Sequence, residues 1–389
     1  MSADGIWQIL AGFEDLGHQP LSIVMLLIGS VLIYLGIGRK LEPLLLVPIG
    51  TGIMIANLPL GEAVIPATGQ QTGGFLYYFY EYGLFNGLIP LLIFLCLGAL
   101  TDFEPLLSSP RMFLLGAAAQ VGIFVALIST LALGLIPMFG FGLKEAASVA
   151  IIGGAEGPTT IYVAAKMQQA GADPAIFAAV VVACYSYMAL VPIIQPPIIR
   201  LLTTRKERLV RMPYSERPVS RTAKIVFPIV SIVVAGLFIP KAAPLIGMFM
   251  FGNLLRESGV VERLATTAQN ELMNIVTILL GITVGSTMLA GSFFNLKTIA
   301  VFVLGIVAFG AATAAGLLLG KAMYFLSRGK VNPMIGASGV SAVPMSARVV
   351  QKMASKEDPG NFLLMHAMGP NVAGAIGAAV AGGVLLAMV

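Results

Sequence analysis

A single carboxylate, Glu156, lies inside an apolar, glycine-rich stretch, IIGGAEGPTT, at residues 151–160. At the centre of a bilayer a charged side chain costs about 2.5 to 3.5 kcal/mol on insertion scales, so its presence there predicts a function. A cation offsets this cost if hard oxygen ligands surround it. The stretch offers such oxygens at Gly153, Gly154, Gly157, Thr159 and Thr160. A bound proton also offsets it, because desolvation favours the neutral carboxyl group. A purely structural role, capping helix amides or reaching water, stays open.

A second stretch, IGASGVSAVPMSARVVQKM at residues 335–353, has no carboxylate but contains Ser338, Ser341 and Ser346. Their hydroxyls can bind a cation, and they can equally bridge packed helices. The segment HAMGPNVAGAIG at residues 366–377 adds Asn371, with carbonyls freed by Pro370 and extending to Gly374. These residues are candidate cation ligands, with helix packing as the alternative.

Two tyrosines lie in ACYSYMALVPIIQPP, residues 183–197. Tyr185 and Tyr187 are too deep in the predicted helix to belong to an interfacial aromatic belt, so a phenol that donates a proton or a hydrogen bond is predicted. Ser186 lies between them and is a further candidate ligand.

Composition places all these residues in an integral membrane protein. Hydrophobic residues make up 58% of the 389-residue chain and charged residues 11%, less than half the share usual in soluble domains. Cys96 and Cys184 lie in apolar runs and are predicted to be small fillers. His18 and His366 have no partners at metal-ligand spacing, so no transition-metal site is expected, and the net charge of +5 needs no nucleic acid to explain it.

Apolar runs recur along the whole chain and predict an all-α polytopic protein. Candidate spanning or membrane-embedded segments are 20–38, 43–58, 75–100, 112–138, 146–168, 174–199, 223–239, 243–255, 271–290, 298–326, 334–352 and 359–388. Residues 1–18 are predicted to form an interfacial helix.

The loop at residues 200–224 is strongly basic, and the positive-inside rule therefore predicts that it is cytoplasmic. Its basic residues are Arg205, Lys206, Arg208, Arg211, Arg217 and Arg221, against the acidic residues Glu207 and Glu216. The other loop charges agree with this orientation if 146–168 and 334–352 are re-entrant hairpins, each broken by Gly and Pro. Both termini are then outside.

The two hairpins resemble each other. Each begins with Ile-Gly, contains a Pro and ends with Lys-Met, and each is followed by an Asp-Pro pair predicted to open a long helix, at Asp173 and at Asp358. Continuing this alignment pairs Ser186 with Asn371. Residues 19–199 and 225–389 are therefore predicted to be inverted repeats that meet at a site near the midplane.

These segments together resemble a known family, the β subunits of the sodium-pumping biotin-dependent decarboxylases. The resemblance covers most of the chain. It runs through EPLLLVPIGTGIMIANLP, LGALTDFEPLLSSPR, IGGAEGPTT, YSYMALVPIIQPPI, FGNLLRESGVVERL and HAMGPNVAGAIG.

The resemblance implies a trimeric, elevator-like inner-membrane protein that decarboxylates carboxybiotin, exports Na⁺ and consumes a proton. It implies a separate carboxyltransferase, a biotin carrier and a small single-span membrane subunit as partners, with oxaloacetate, malonate, methylmalonyl-CoA or glutaconyl-CoA as the acyl substrate. The family's essential carboxylate corresponds to Glu156, its functional tyrosine to Tyr187 and its cation-binding asparagine region to Asn371.

Two departures bear on the ion. The family usually has Asp where this chain has Glu156, and a Ser where it has Ala378, so the number of Na⁺ ions, or the use of Na⁺ rather than a proton, stays open. A Na⁺/H⁺ antiporter or a Na⁺-coupled carboxylate symporter would also use such hairpins. A symporter, however, would normally place a basic residue at the midplane, and neither hairpin tip has one. An assembly anchor is less favoured, because the polar residues lie deep in the membrane.

Overall fold

The computed structural model describes residues 3–59, 61–68, 72–213 and 218–389, and within these ranges the regular elements are helical. The first half contains α1 (Ala3–His18), α2 (Pro20–Gly38), α3 (Pro43–Ala56), α4 (Phe75–Tyr78), α5 (Leu88–Leu100), α6 (Glu104–Ser108), α7 (Met112–Ala119), α8 (Val121–Gly134), α9 (Leu143–Ala150), α10 (Gly157–Gln169) and α11 (Pro174–Leu202). A π-helical segment, Phe79–Phe85, follows α4, and short 3₁₀ turns cover Glu62–Val64 and Ile151–Gly154. The all-α prediction is confirmed.

The second half of the chain is also helical. It contains α12 (Arg205–Arg208), α13 (Arg221–Phe238), α14 (Ala243–Ser258), α15 (Glu262–Thr267), α16 (Met273–Ser286), α17 (Ala290–Phe293), α18 (Leu296–Leu326), α19 (Met345–Glu357) and α20 (Leu364–Ala387). A π-helical segment, Ala268–Leu272, joins α15 to α16, and 3₁₀ turns cover Pro240–Ala242 and Pro333–Gly339.

Six helices of the described residues are long and apolar enough to cross a membrane, or seven if the pair Phe75–Phe85 and Leu88–Leu100, bent by 59°, forms one span. This confirms a multi-pass membrane protein. Three other predicted segments form shorter helices: α3 and α16 have 14 residues each and α14 has 16. At 1.5 Å per residue, α3 and α14 reach about 21 and 24 Å, less than the hydrocarbon core, whereas α16 directly continues α15 and the π-helical segment Ala268–Leu272. The assignment of these three segments as spanning or membrane-embedded stays a prediction.

One predicted helix start is wrong. Asp173 caps α11, as expected, with its carboxylate accepting the amide of Ala175 at 3.0 Å. Asp358, by contrast, lies in a turn, and α20 begins only at Leu364. The Asp358 carboxylate accepts the amide of Gly360 instead, which uses the same capping chemistry to close a turn.

The basic loop after α11 is held against the end of α19. Arg208 pairs with Glu357 at 2.8 Å and Arg211 pairs with Asp358 at 2.7 Å. The hydrogen bond from the Arg211 guanidinium, aided by the Gly360 amide, lowers the pKa of the Asp358 carboxyl group. Arg217 and Glu216 of the predicted loop lie outside the described residues.

The helices pack mainly in two groups. In the first, α3 packs against α2 and α16, and α14 against α5 and α13; in the second, α11 and α8 pack against α18, and α20 against α7. The first group depends on close backbone approach: a Cβ at Gly98 of α5 would lie 1.8 Å from the carbonyl oxygen of Phe249 on α14. Small residues at helix contacts are typical of membrane proteins. The second group contains both broken segments.

Candidate cation site at two helix breaks

The first break separates α9 from α10. The chain leaves α9 through the 3₁₀ turn Ile151–Gly154, and Ala155 then adopts a left-handed conformation with φ of +49°. That conformation is unfavourable for a residue with a Cβ and stops the helix. Gly157 and Pro158 start the next helix, where the missing amide of a proline costs no hydrogen bond. A helix broken at residues 151–156 is therefore present, as the sequence predicted.

Glu156 is the N-cap of α10 and is only 4% exposed. Its Oε2 accepts hydrogen bonds from the Thr159 amide at 2.6 Å and the Thr159 hydroxyl at 2.5 Å. The Glu156 carbonyl accepts the Thr160 hydroxyl at 2.8 Å. The capping role left open by the sequence is thus present, but it occupies only one carboxylate oxygen: Oε1 accepts no hydrogen bond from the described residues.

The negative charge of Glu156 is not compensated by a cationic side chain among the described residues. None of the ion pairs among the described residues includes Glu156. A buried carboxylate without a cationic partner is strongly unfavourable, so it must bind a cation or take up a proton. Within the same ranges no three His, Cys, Asp or Glu side chains come close enough to hold a metal ion together, so neutral oxygens must complete any cation shell here.

Such oxygens are present in the break itself. The carbonyls of Gly153, Gly154 and Ala155 precede α10, and no described amide or side chain donates a hydrogen bond to them. Buried carbonyls normally have a partner, so free ones beside a carboxylate are suited to an ion. The break thus places a carboxylate beside neutral carbonyl oxygens, and both kinds of oxygen are candidate ligands.

The second break follows the 3₁₀ turn Pro333–Gly339 and ends where α19 begins at Met345. Asn371 of α20 is fully buried, and its side-chain nitrogen donates to the carbonyls of Ser338 and Val340 at 2.9 Å each. Because the nitrogen is committed to two carbonyls, Oδ1 must face away from them, and it has no donor. Asn371 therefore holds the break and presents a free acceptor.

The serines of the second break differ. Ser338 donates to the Ile335 carbonyl at 2.5 Å, which satisfies its proton locally. The hydroxyls of Ser341 and Ser346 are buried without a partner. Ser186 on α11 is only partly buried and makes no hydrogen bond to either break among the described residues. Ser341 and Ser346 thus have free hydroxyls, and Ser341, Ser338 and Ser186 all remain predicted ligands.

One helix, α20, contacts both breaks. A Cβ at Gly374 would lie 2.1 Å from the Gly339 carbonyl oxygen, so only glycine allows this approach to the second break. One turn further on, the Ala378 methyl lies 3.1 Å from the Cβ position of Gly154 in the first break. Residues one turn apart are separated by only about 5.4 Å along the axis. The two predicted hairpins therefore come together along one helix.

The two tyrosines of α11 point to different places. The ring and hydroxyl of Tyr185 lie against Gly157, next to Glu156, and the buried hydroxyl has no hydrogen-bond partner. The Tyr187 hydroxyl instead donates to the Phe302 carbonyl of α18. The structure therefore brings Tyr185 to the carboxylate, whereas Tyr187 is joined to α18.

Sequence reasoning missed two buried glutamines. Gln195 of α11 donates to the Ala337 carbonyl at 3.0 Å, and Gln120, between α7 and α8, donates to the Gly374 carbonyl at 3.2 Å. Each leaves its side-chain oxygen without a donor. A polar amide within a predicted apolar helix was the available signal, although the pattern alone does not show which way an amide points.

A separate apolar cavity of about 300 Å³ is lined by Tyr80, Phe177 and Leu289 among others. None of the residues that line it belongs to either break. It therefore contributes no ligand to this site.

The known proteins that this chain resembles are decarboxylase subunits, and the matching family model describes Na⁺ transport. Residues 21–389 match the family model described as "Na+-transporting oxaloacetate decarboxylase beta subunit". The chain is 50% identical to the methylmalonyl-CoA decarboxylase subunit beta of Propionigenium modestum, with 94% of each chain covered. It is 51% identical to the glutaconyl-CoA decarboxylase subunit beta of Acidaminococcus fermentans, covering 94% of this chain and 92% of the relative.

A third relative, oxaloacetate decarboxylase beta chain 2 of Salmonella typhi, is 46% identical over 93% of this chain and 94% of its own. The resemblance noted from the motifs is confirmed. The chain belongs to the family of β subunits of the Na⁺-transporting decarboxylases.

Proposed function

We propose that this chain is a membrane subunit that removes CO₂ from carboxybiotin and couples this step to the outward transport of Na⁺, with consumption of a proton. The observation that carries the proposal is Glu156, a buried carboxylate with no ionic partner and one free oxygen, in a break rich in free carbonyls. Family membership supports the decarboxylase class. It does not favour a secondary antiporter or a carboxylate symporter, because the relatives are named as decarboxylase subunits.

Na⁺ is the transported ion in this proposal. Its ligands are four kinds of oxygen: Glu156 Oε1, the free carbonyls of the first break such as that of Gly154, Asn371 Oδ1 and the Ser341 hydroxyl. Thr159 orients the Glu156 carboxylate through its hydrogen bonds, and Gly374 allows α20 to approach the second break. Cation and proton compete for Glu156, since either one neutralises the buried charge. Protonation of Glu156 while the site faces outward releases Na⁺. Each exported charge requires about 2.3 kcal/mol per 100 mV, which the loss of CO₂ must exceed.

We also propose that the two halves are inverted repeats that move as an elevator. The packing supports the repeat, because each half places an equivalent helix against the other half. Helix α3 of the first half packs against α16 of the second, and α14 of the second half packs against α5 of the first. In the same way α11 packs against α18, and α20 against α7. A π-helical segment precedes both α5 and α16. In this arrangement the segments 146–168 and 334–352 are re-entrant.

The proposed assembly includes a biotin carrier, a carboxyltransferase and a small single-span membrane subunit, with three copies of this chain in the inner membrane and both termini outside. Membership of a family of β subunits supports a multi-subunit complex. Exposed apolar surface supports contact with lipid or with neighbouring copies: over a stretch of 18 consecutive residues only 6% are buried in α13 and only 22% in α2.

The proposal is tested with the purified chain in proteoliposomes that receive free carboxybiotin. We expect CO₂ release that depends on Na⁺, together with ²²Na⁺ transport in one direction. Decarboxylation that is indifferent to Na⁺, or Na⁺/H⁺ exchange without carboxybiotin, would contradict it.

The two tyrosines are separated by Phe substitutions. Proton delivery by Tyr187 requires its hydrogen bond to the Phe302 carbonyl to break, so Tyr187→Phe should lower the decarboxylation rate by at least about tenfold while Na⁺ binding stays unchanged. Tyr185→Phe removes the hydroxyl beside Glu156 and should instead raise the Na⁺ concentration needed for half-maximal activity. The measurements are the rate at saturating Na⁺ and the Na⁺ dependence of each variant. The reverse pattern would assign proton delivery to Tyr185.

A further inference from the structure

Gln120 lies at the junction of α7 and α8 and is only 6% exposed. Its side-chain nitrogen donates to the Gly116 carbonyl at 3.0 Å and to the Gly374 carbonyl at 3.2 Å. Turning the amide over would place its oxygen against two carbonyl oxygens, so the orientation is determined by chemistry. The Oε1 atom is consequently held on the opposite side, buried and without a donor.

The direction of Oε1 follows from its neighbours. It lies 3.7 Å from the Cβ position of Gly154 in the first break, and the Ala378 methyl lies 3.1 Å from the same point. The side-chain nitrogen of Gln120 is 3.0 Å from the Cβ position of Gly377. Gln120 therefore contacts α20 through its nitrogen and directs its oxygen toward the first break.

We propose that Gln120 Oε1 is a ligand of a cation held between the first break and α20, at a position that includes the free Gly154 carbonyl. The inference rests on the proposed function for its ion, Na⁺. Oε1 and the Gly154 carbonyl are both acceptors, and the other neighbours of the Gly154 Cβ position, the Ala378 methyl and Ile123 Cδ1 at 3.3 Å, present only methyl groups. Water would donate to these acceptors but find no donor for its own lone pairs, whereas a cation needs acceptors only.

The side chain at position 378 determines how complete this shell is. A hydroxyl added to Ala378 would enter the space shared by Gln120 Oε1 and Gly154, and would supply one more hard oxygen. If Gln120 and a serine at 378 bind the same ion, their effects on Na⁺ affinity must depend on each other.

The test measures Na⁺-dependent thermal stabilisation of the purified chain, with choline chloride holding the ionic strength constant. We expect Gln120→Met to raise the Na⁺ concentration for half-maximal stabilisation by at least about tenfold. Losses of this size are typical when a group that orients the ligands of a metal site is removed. Ala378→Ser should lower that concentration severalfold in the unmodified background and have no effect beside Gln120→Met. An unchanged midpoint in Gln120→Met, or independent effects in the double variant, would overturn the inference.

Gln120→Glu distinguishes the effect of the side-chain oxygen from the effect of the two hydrogen bonds that the amide donates. This variant loses the amide donors, as Gln120→Met does, but still carries an oxygen that can reach the break, so its Na⁺ midpoint should stay at or below the unmodified value. A midpoint raised as in Gln120→Met would show that the hydrogen bonds matter and the oxygen does not. If the unmodified chain responds to Na⁺ and Gln120→Met has the same Na⁺ midpoint, the proposed function stands and this inference fails. If the unmodified chain shows no Na⁺ response, both fail.

Discussion

Replacing Glu156 by Gln should abolish Na⁺-dependent decarboxylation. The substitution keeps the shape of the side chain and removes the only charge at the break, so cation binding loses its charged ligand and the exchange of Na⁺ for a proton becomes impossible. We expect the rate of CO₂ release and ²²Na⁺ transport in proteoliposomes to fall by at least about a hundredfold. The folded protein should be no less stable, because a buried unpaired charge has been removed.

Two control variants sharpen this result. Glu156→Asp keeps the charge with one methylene less, and should retain Na⁺-dependent activity at a shifted Na⁺ midpoint. Glu207→Gln changes another buried carboxylate, 5% exposed, which caps α12 and pairs with Lys321 at 3.5 Å. It should leave the Na⁺ dependence unaltered. Sustained Na⁺ pumping in Glu156→Gln would remove this residue from the mechanism.

Asn371→Leu should have the second largest effect. The substitution leaves the carbonyls of Ser338 and Val340 buried without donors, which costs about 1 to 3 kcal/mol per group, and it removes the free Oδ1 acceptor. We therefore expect a lower unfolding temperature and a Na⁺ midpoint raised by at least about tenfold in the same thermal assay.

The control for Asn371→Leu is Asn253→Leu. Asn253 is as deeply buried, and its side-chain nitrogen donates to the Thr101 carbonyl at 3.0 Å, away from both breaks. It should lower stability without moving the Na⁺ midpoint. Asn371→Asp keeps an acceptor oxygen and should bind Na⁺ better than Asn371→Leu does. Equal Na⁺ midpoints in Asn371→Leu and the unmodified chain would rule out Asn371 as a ligand.

Much of the fold follows from the sequence, since helix bounds depend on local chemistry. The predicted segment 20–38 coincides with α2, because an apolar run with Pro at its start has few alternatives. The break at Glu156 was predictable from Gly, Pro and an isolated charge. The number of full spans does not follow from hydropathy alone, because helix length also depends on packing partners: α3 has 14 residues and α14 has 16, while α16 is extended by a π-helical segment.

The candidate site was predicted in its principal residues but not in its geometry. Glu156 and Asn371 were identifiable as polar groups in apolar surroundings. The direction of Tyr185 and the free oxygen of Gln120 were not, since both depend on helices distant in sequence. Asp173 and Asp358 show the same limit: identical Asp-Pro pairs cap a helix in one half and close a turn in the other.

The contacts of α20 have a mechanical consequence. At Gly374 the second break is touched by the helix backbone, and at Ala378 the first is touched by a single methyl group. At these two points the contact is made by backbone or by a methyl group, neither of which has a rotamer to change. We therefore expect a shift of α20 to displace both parts of the candidate ion site together rather than one at a time.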